Sequence, residues 1–458
     1  MLQDPAPIQL TFLGGAGTVT GSKILLKTAK NQILIDCGLF QGLKQLRLLN
    51  WQKPAIKLEE LDAIILTHGH LDHCGYLPVL VKNGFDGPIY ATEPTRDVTR
   101  IILNDSARIQ MEDAEEANRG GYSIHHPAKP LYNLDDVART MPLFDTHNYG
   151  EWVIINEDFK FCFRNSGHIL GSAIVELKCQ GRTFLFSGDI GQRQPLLMDP
   201  PVRLREADYV IMESTYGDRL HSEISPYTEL TEVVNHTYDK GGVLVIPSFA
   251  VERAQELLLL LNTLKEDKSI PPIPVYLDTP MGIDVSDLYL HYHDWHNLTR
   301  AECETMMRNV HIIRKFEHTQ HVLDTHGPKI VIAGSGMVTG GRVLYYLERL
   351  LGDSKNTVLL VGFQAPGTRG SLLSSGADEL KIHGAYYKVR AEVRQISSMS
   401  AHGDRDDLLW WLQSFKHTPL QVFLNHGEAQ ASEALRMEIK DKLKFPVTIA
   451  QMGETYYL

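Results

Sequence analysis

The sequence predicts an α/β fold made of two units, the second inserted into the first. Three observations point that way. Short apolar runs closed by glycine or a polar residue recur from residue 8 to residue 213, the pattern of buried strands bounded by turns. From about Tyr216 the spacing lengthens into strand–helix alternation, with Gly242–Pro247 followed by an amphipathic stretch over 250–264, as parallel α/β units require. After about residue 385 the short strands return. The expected boundaries are 1–215 for the first part of the outer unit, 216–385 for the inserted unit and 386–458 for the return.

Residues 8–40 read as a meander of three strands, Leu10–Gly15, Ser22–Lys27 and Gln32–Gly38, with Asp36 at the end of the third. The apolar run Leu61–Leu66 is a buried strand, and Cys74–Leu80 reads as the start of a helix. Between them lies Leu66-Thr67-His68-Gly69-His70-Leu71-Asp72-His73. Three imidazoles and a carboxylate in so short a loop do not suit a packed core, where each buried polar group needs a partner. They do suit a borderline metal such as zinc. His68 and His70 can face one ion from the extended segment, while Asp72 and His73 reach a second where the chain turns into helix. Four residues cannot close two sites, so distant ligands are expected.

A strand at 88–91 and a long helical stretch over 93–118 follow, the latter charged beyond Asp105 and therefore a solvated flank. His125-His126 reads as a surface pair. Strands at 151–155 and 159–164 lead to His168 in a glycine-flanked turn, a candidate for the missing ligand. Thr183–Asp189 is a strand ending in Ser-Gly-Asp, where a carboxylate can bridge two metals, and Tyr209–Glu213 likewise ends in an acid. Asp36 is placed to brace imidazole N–H groups from behind.

In the inserted unit, Pro274–Leu277 is a strand, Lys329–Gly336 leads through Thr339–Arg342 into a helix at 343–351, and Asn356–Gly362 leads to Ala365–Gly370. Ser335, Gly336, Thr368 and Arg369 in these loops are candidates for holding phosphate, since such loops present backbone N–H groups and hydroxyls. No GxxxxGK[ST] occurs there, which argues against a nucleotide cofactor. His291, His293 and His296 look like a further cluster, but no strand end or glycine frames them, and a ligand role is not expected. In the tail, His402 and His426 each follow a strand.

Composition narrows the function. The 458 residues can bury a large core. Five cysteines without CxxC spacing indicate a reducing compartment, so the cytoplasm is expected rather than secretion. The N-terminal residues show no basic and apolar leader, and no apolar run approaches bilayer length. A net charge of −11 is unusual for a nucleic-acid enzyme, although bound divalent ions restore positive charge locally.

The ordered set Asp36, His68-x-His70-x-Asp72-His73, His168 and Asp189 resembles the metallo-β-lactamase fold, an αββα sandwich with a two-zinc site at one edge. Glu213, His402 and His426, with Phe249–Glu256 and Gly334–Met337, resemble the further motifs of its β-CASP subgroup, nucleases that include ribonuclease J and the bacterial and archaeal relatives of the cleavage and polyadenylation endonuclease. The resemblance implies one zinc ion on His68, His70 and His168, and another on Asp72, His73 and His426. Asp189 would bridge them and Asp36 would brace the loop. His402, oriented by Glu213, would stand by the leaving oxygen, so that Asp72, Asp189, Glu213 and His402 carry the chemistry. Ser371 stands where many relatives show an arginine, which leaves Arg369 as the phosphate-binding candidate.

The expected activity is hydrolysis of single-stranded RNA to 5′-phosphate and 3′-hydroxyl ends, endonucleolytic or 5′-to-3′ exonucleolytic, in RNA processing or decay. The substrate would be clamped between the two lobes. The alternatives are a DNA nuclease of the same subgroup, a small-molecule metallo-hydrolase and a non-catalytic RNA-binding scaffold. No membrane partner is expected, and a homo-oligomer is compatible with everything read so far.

Overall fold

A computed structural model describes residues 7–53, 55–121 and 126–458. His125 of the His125-His126 pair therefore lies outside the described residues, as does Met1–Ala6, whereas His126 is exposed. The chain forms two compact units, one of Met1–Pro195, Asp199–Leu220 and His402–Leu458, the other of Leu196–Met198 and His221–Ala401.

The first unit carries two seven-stranded sheets. One runs in the order Thr455–Tyr457, Gln9–Gly14, Lys23–Lys27, Gln32–Ile35, Ala63–Ile65, Ile89–Ala91, Phe144–Thr146. The other runs Val447–Ile449, Gln421–Asn425, Tyr209–Glu213, Arg182–Phe186, Ala173–Cys179, Phe159–Asn165, Trp152–Ile154. Alternate residues along these strands point to opposite faces, so each sheet buries both of its sides.

The inner faces meet in a core that includes Leu10, Phe12, Ile35, Ile65, Phe161, Phe184, Phe186, Ile211 and Phe423. Burying each such side chain is worth about 1.5–3 kcal/mol. The outer face of the first sheet, with Leu34, Ile64 and Leu66, packs on Leu77, Leu80, Leu103 and Val137 of the helices Leu77–Lys82, Glu93–Gly120 and Leu134–Thr140. The outer face of the second packs on Leu408, Trp411, Leu412 and Leu435 of the helices Arg405–Leu412 and Ala429–Glu438. Helix, sheet, sheet and helix therefore stack as the predicted αββα sandwich.

Helix Glu93–Gly120 starts where Thr92 Oγ1 accepts from Thr95 N, and stops at Gly121 in the left-handed region. The Thr92 and Thr95 hydroxyls both donate to Gly171 O, at 2.7 and 2.8 Å, which ties this helix to the turn that carries His168.

The second unit is built on a six-stranded parallel sheet, ordered Val310–Ile312, Val275–Asp278, Lys329–Ala333, Val243–Pro247, Thr357–Val361, Glu392–Ile396. Its central strands are buried throughout, as a parallel sheet covered on both faces demands. A hairpin, Glu379–Ile382 with Ala385–Lys388, lies outside that sheet.

Candidate metal centre

Strand ends of both sheets deliver polar side chains to one place in the first unit. Asp36 follows Gln32–Ile35, Thr67 and His68 follow Ala63–Ile65, and His73 lies in the helical turn Leu71–Cys74, which starts three residues before the expected helix. From the second sheet come Asp189 after Arg182–Phe186, Glu213 at the end of Tyr209–Glu213, and His426 after Gln421–Asn425. His168 follows Phe159–Asn165, and His402 precedes helix Arg405–Leu412. Ala173 N donates to Thr67 O at 2.8 Å, stitching the two sets together.

Two groups of potential ligand atoms result: His68, His70, His168 and Asp189, and beside them Asp72, His73 and His426, each group lying within 4.8 Å. A third group of that size, Asp189, Glu213 and His426, shares members with both. In the first group, His70 Nδ1 lies 3.2 Å from His68 Nε2 and 3.1 Å from His168 Nε2, and Asp189 Oδ2 lies 3.4 and 3.5 Å from those two nitrogens. In the second, His426 Nε2 lies 3.1 Å from His73 Nε2 and 3.4 Å from Asp72 Oδ2. A tetrahedral zinc with bonds of about 2.0–2.1 Å has ligand–ligand edges of about 3.3–3.4 Å.

Proton accounting favours a cation over a hydrogen-bonded cluster. Asp36, buried, accepts from Thr67 N at 2.8 Å and from Thr67 Oγ1 at 3.0 Å, and its Oδ2 lies 2.7 Å from His73 Nδ1. His73 Nδ1 therefore carries a proton, and as a neutral ligand its Nε2 would present a lone pair. Because the Thr67 hydroxyl is donated to Asp36, its oxygen accepts from His68 Nδ1 at 3.0 Å, and His68 Nε2 is bare as well. A single proton on His70 Nδ1 can serve only one of its two imidazole neighbours. The buried Oδ1 of Asp189 has no hydrogen-bond partner among the described residues, and stands 3.4 Å from His73 Nε2. Bare nitrogens and an orphaned carboxylate oxygen facing one another are what a bound cation would satisfy.

For the first group the electrostatics agree. Burial, helped by the neighbouring imidazoles His73 and His168, holds His68 well below the ordinary histidine value, and burial brings His70 down to about 4. Both are therefore neutral at pH 7, as ligands must be. Burial works against charge on His73 too, but Asp189 and Asp36 outweigh it and raise that imidazole to about 10, so with no cation between them Nε2 is protonated at pH 7, and a bound metal would displace that proton. Asp72 is held low despite burial by the hydrogen bond with His426 and the charge of His73. Burial raises Asp189.

His402 stands at the rim. Its Nδ1 lies 3.1 and 3.2 Å from the two oxygens of buried Glu213 and 3.9 Å from Asp189 Oδ2. Burial opposes its charge, yet Glu213 and Asp189 prevail and hold it up to about 9. Glu213 is lowered in turn, against its own burial, by His402.

The four loop residues expected to hold phosphate belong to the second unit, where their polar groups serve the loops themselves. Ser335 Oγ accepts from Thr339 N and Gly340 N, and Gly336 O accepts from Gln364 Nε2. Thr368 caps helix Arg369–Ser374, and the Arg369 guanidinium donates to Lys381 O and Thr339 O. His296 is buried against Tyr289 O, and none of the potential metal-holding groups among the described residues includes it or its neighbours. Sequence reasoning missed Thr67, although it lies inside the histidine-rich stretch. It also missed Ser172, whose hydroxyl accepts from His168 N at 3.1 Å.

Three family models match the chain: the metallo-beta-lactamase superfamily over 17–151, the Beta-Casp domain over 254–373, and the Zn-dependent metallo-hydrolase RNA specificity domain over 386–450. Among curated relatives, Ribonuclease TTHA0252 of Thermus thermophilus is 34% identical, the alignment covering 98% of this chain and 99% of the relative. An RNase J-like protein of Methanocaldococcus jannaschii is 32% identical over 97% of this chain and 99% of its own length. Transcription termination factor FttA of the same archaeon is 33% identical over 92% of this chain and 67% of that protein. A solved structure of a protein of unknown function from Enterococcus faecalis V583 matches with a TM-score of 0.54 at 14% identity, covering 99% of this chain and all of that one.

Proposed function

Because the chain belongs to the β-CASP ribonucleases of the metallo-β-lactamase superfamily, we propose that it is a two-zinc ribonuclease acting on single-stranded RNA in the cytoplasm. The observation that carries this reading is the facing of bare histidine nitrogens across the two carboxylate oxygens of Asp189 at tetrahedral-edge spacings. His68, His70 and His168 would hold one ion and Asp72, His73 and His426 the other, with Asp189 shared. Ions held there would acidify the attacking water and neutralise the phosphate oxygens.

The chain's own groups supply the rest. Glu213 fixes Nδ1 of His402 as a donor and favours the imidazolium, whose second proton, on Nε2, would be the one delivered to the departing 3′ oxygen. An imidazole kept protonated above neutral pH is ready for that transfer. Asp36 and Thr67 engage Nδ1 of His73 and of His68, which leaves Nε2 of each ring as the nitrogen that would meet a metal. The products would carry 5′-phosphate and 3′-hydroxyl ends. Ser335, Gly336, Thr368 and Arg369 would contribute to the grip on the strand.

The cytoplasmic assignment rests on five free cysteines, all buried. No described helix is long and apolar enough to cross a membrane.

The test is digestion of end-labelled single-stranded RNA and DNA, with and without a 5′-phosphate, by zinc-loaded protein beside a chelated control. Zinc-dependent cleavage of RNA is expected, internal fragments marking an endonuclease and mononucleotides an exonuclease. Intact RNA alongside cut DNA, or cleavage of a thioester alone, would overturn the proposal.

A further inference from the structure

Lys23 opens the strand Lys23–Lys27 and is only 8% exposed, yet it forms no ion pair with a carboxylate among the described residues. Burial pulls its ammonium down to about 8, which leaves it charged at pH 7. An unpaired charge inside a protein is unfavourable, and an apolar side chain of similar length would pack there more readily. Its surroundings show what holds it. The ammonium donates to Gly38 O and to Gly21 O, and lies 4.7 Å from the ring centre of Phe40 and 4.8 Å from that of Tyr76.

The peptides that Lys23 grips belong to the two segments clasping the ligand loop. Ser22 N donates to Asp72 O at 2.8 Å, Cys37 N to His73 O at 2.7 Å, and Gly38 N to Ser22 O at 2.9 Å. The fit is tight enough that a Cβ on Gly38 would fall 1.5 Å from Asp72 O. Phe40 is itself pinned, since its N–H and C=O both bond the side chain of Asn50, at 2.9 and 2.8 Å. The cage therefore transmits the position of one ammonium to the backbone of two proposed ligands.

We propose that Lys23 is a positioning residue for the metal-ligand loop: its caged ammonium fixes the Gly21 and Gly38 peptides, and through them the direction in which Asp72 and His73 present their ligand atoms. This rests on the reading that Asp72, His73 and His426 hold a metal ion.

The test uses the full chain, stripped of metal, with Lys23→Met, Lys23→Arg and, as a second route to the same cage, Phe40→Leu. Thermal unfolding of the metal-free proteins is measured first, then zinc affinity by competition with a chromophoric chelator. Lys23→Met is expected to unfold at or above the wild-type temperature. The first zinc should bind it as it binds wild type, and the second about 10–100-fold more weakly, the usual effect of losing an outer support. Lys23→Arg, which keeps the charge, should restore most of that loss. If Lys23→Met does not fold, Phe40→Leu is read in its place and should show the same weakening confined to the second ion. Two equal affinities within twofold of wild type, or a parallel loss of both together with a lower unfolding temperature, would overturn the proposal for Lys23 alone. Wild-type protein that binds no zinc would overturn it together with the reading beneath it.

Discussion

Replacing Asp36 probes the centre from behind, where no metal would touch it. Three buried donors converge on its carboxylate: Thr67 N, Thr67 Oγ1 and His73 Nδ1. Leaving a buried donor unpaired costs about 1–3 kcal/mol. Asp36→Ala strips all three, and alanine at φ 60° lacks the short polar side chain whose local hydrogen bonds let aspartate occupy that region. Three such donors, with allowance for relaxation, come to about 3–6 kcal/mol, a large share of the roughly 5–15 kcal/mol that stabilises a domain.

Asp36→Asn is the sharper probe, because asparagine tolerates the left-handed region and keeps one oxygen. Its amide must turn an NH₂ toward either Thr67 or His73. Facing His73, it favours a proton on Nε2, where the ligand lone pair is needed. The expected outcome is a loss of about 2 kcal/mol in urea unfolding of the metal-free protein, and about 10–100-fold weaker binding of the ion on His73 by chelator competition. If Asp36→Asn unfolds within about 0.5 kcal/mol of wild type and binds that ion within twofold of it, the carboxylate does not govern the tautomers.

Three other perturbations separate the roles of single residues. His402→Ala is expected to retain its zinc, measured by elemental analysis, while RNA cleavage falls by roughly two to four orders of magnitude; loss of zinc would move His402 into the ligand set. His426→Ala should lower the zinc content by one equivalent per chain and leave the ion on His68, His70 and His168 in place, which the same analysis reads. Glu252 offers a pH test away from the metals: burial, then the adjacent Glu256, pushes its carboxyl up to about 8 in spite of the hydrogen bond from Tyr289. The folded state then keeps a proton that the unfolded chain, at about 4.5, releases, so this stability is present below pH 4.5 and is lost as pH rises toward 8. Glu252→Gln should flatten that fall in denaturant titrations across the window, and an unchanged slope would contradict it.

Much of this architecture was legible because its chemistry sits at strand ends. An apolar run ending in Asp36, Asp189 or Glu213 announces both a strand and the group it delivers, and the stretch from His68 to His73 is dense enough to exclude a packed core. Other elements left no such trace. The strand Thr455–Tyr457, which pairs with Gln9–Thr11, is too short for alternation to show, and Phe144–Thr146 is nowhere fully buried. Lys23 looks like any surface lysine, since nothing in its neighbours reveals that Phe40 and Tyr76 close over it. The loops at Ser335 and Thr368 were legible as glycine-rich strand-to-helix loops, whereas the local partners their hydroxyls take in the folded chain were not. Composition names the donors but not the acceptors they have found.

The parallel pairing of Tyr209–Glu213 with Gln421–Asn425 has a bearing on biogenesis. A ribosome emits Asp36, the histidine-rich loop, His168 and Asp189 well before it emits His426, with the entire inserted unit synthesised in between. A polypeptide interrupted anywhere inside that insertion would possess most of the proposed zinc-binding groups and no complete second set. If both proposed sets are needed for cleavage, hydrolytic competence would be deferred until translation has passed the whole insertion, and the winding of the backbone would itself guard against premature cutting.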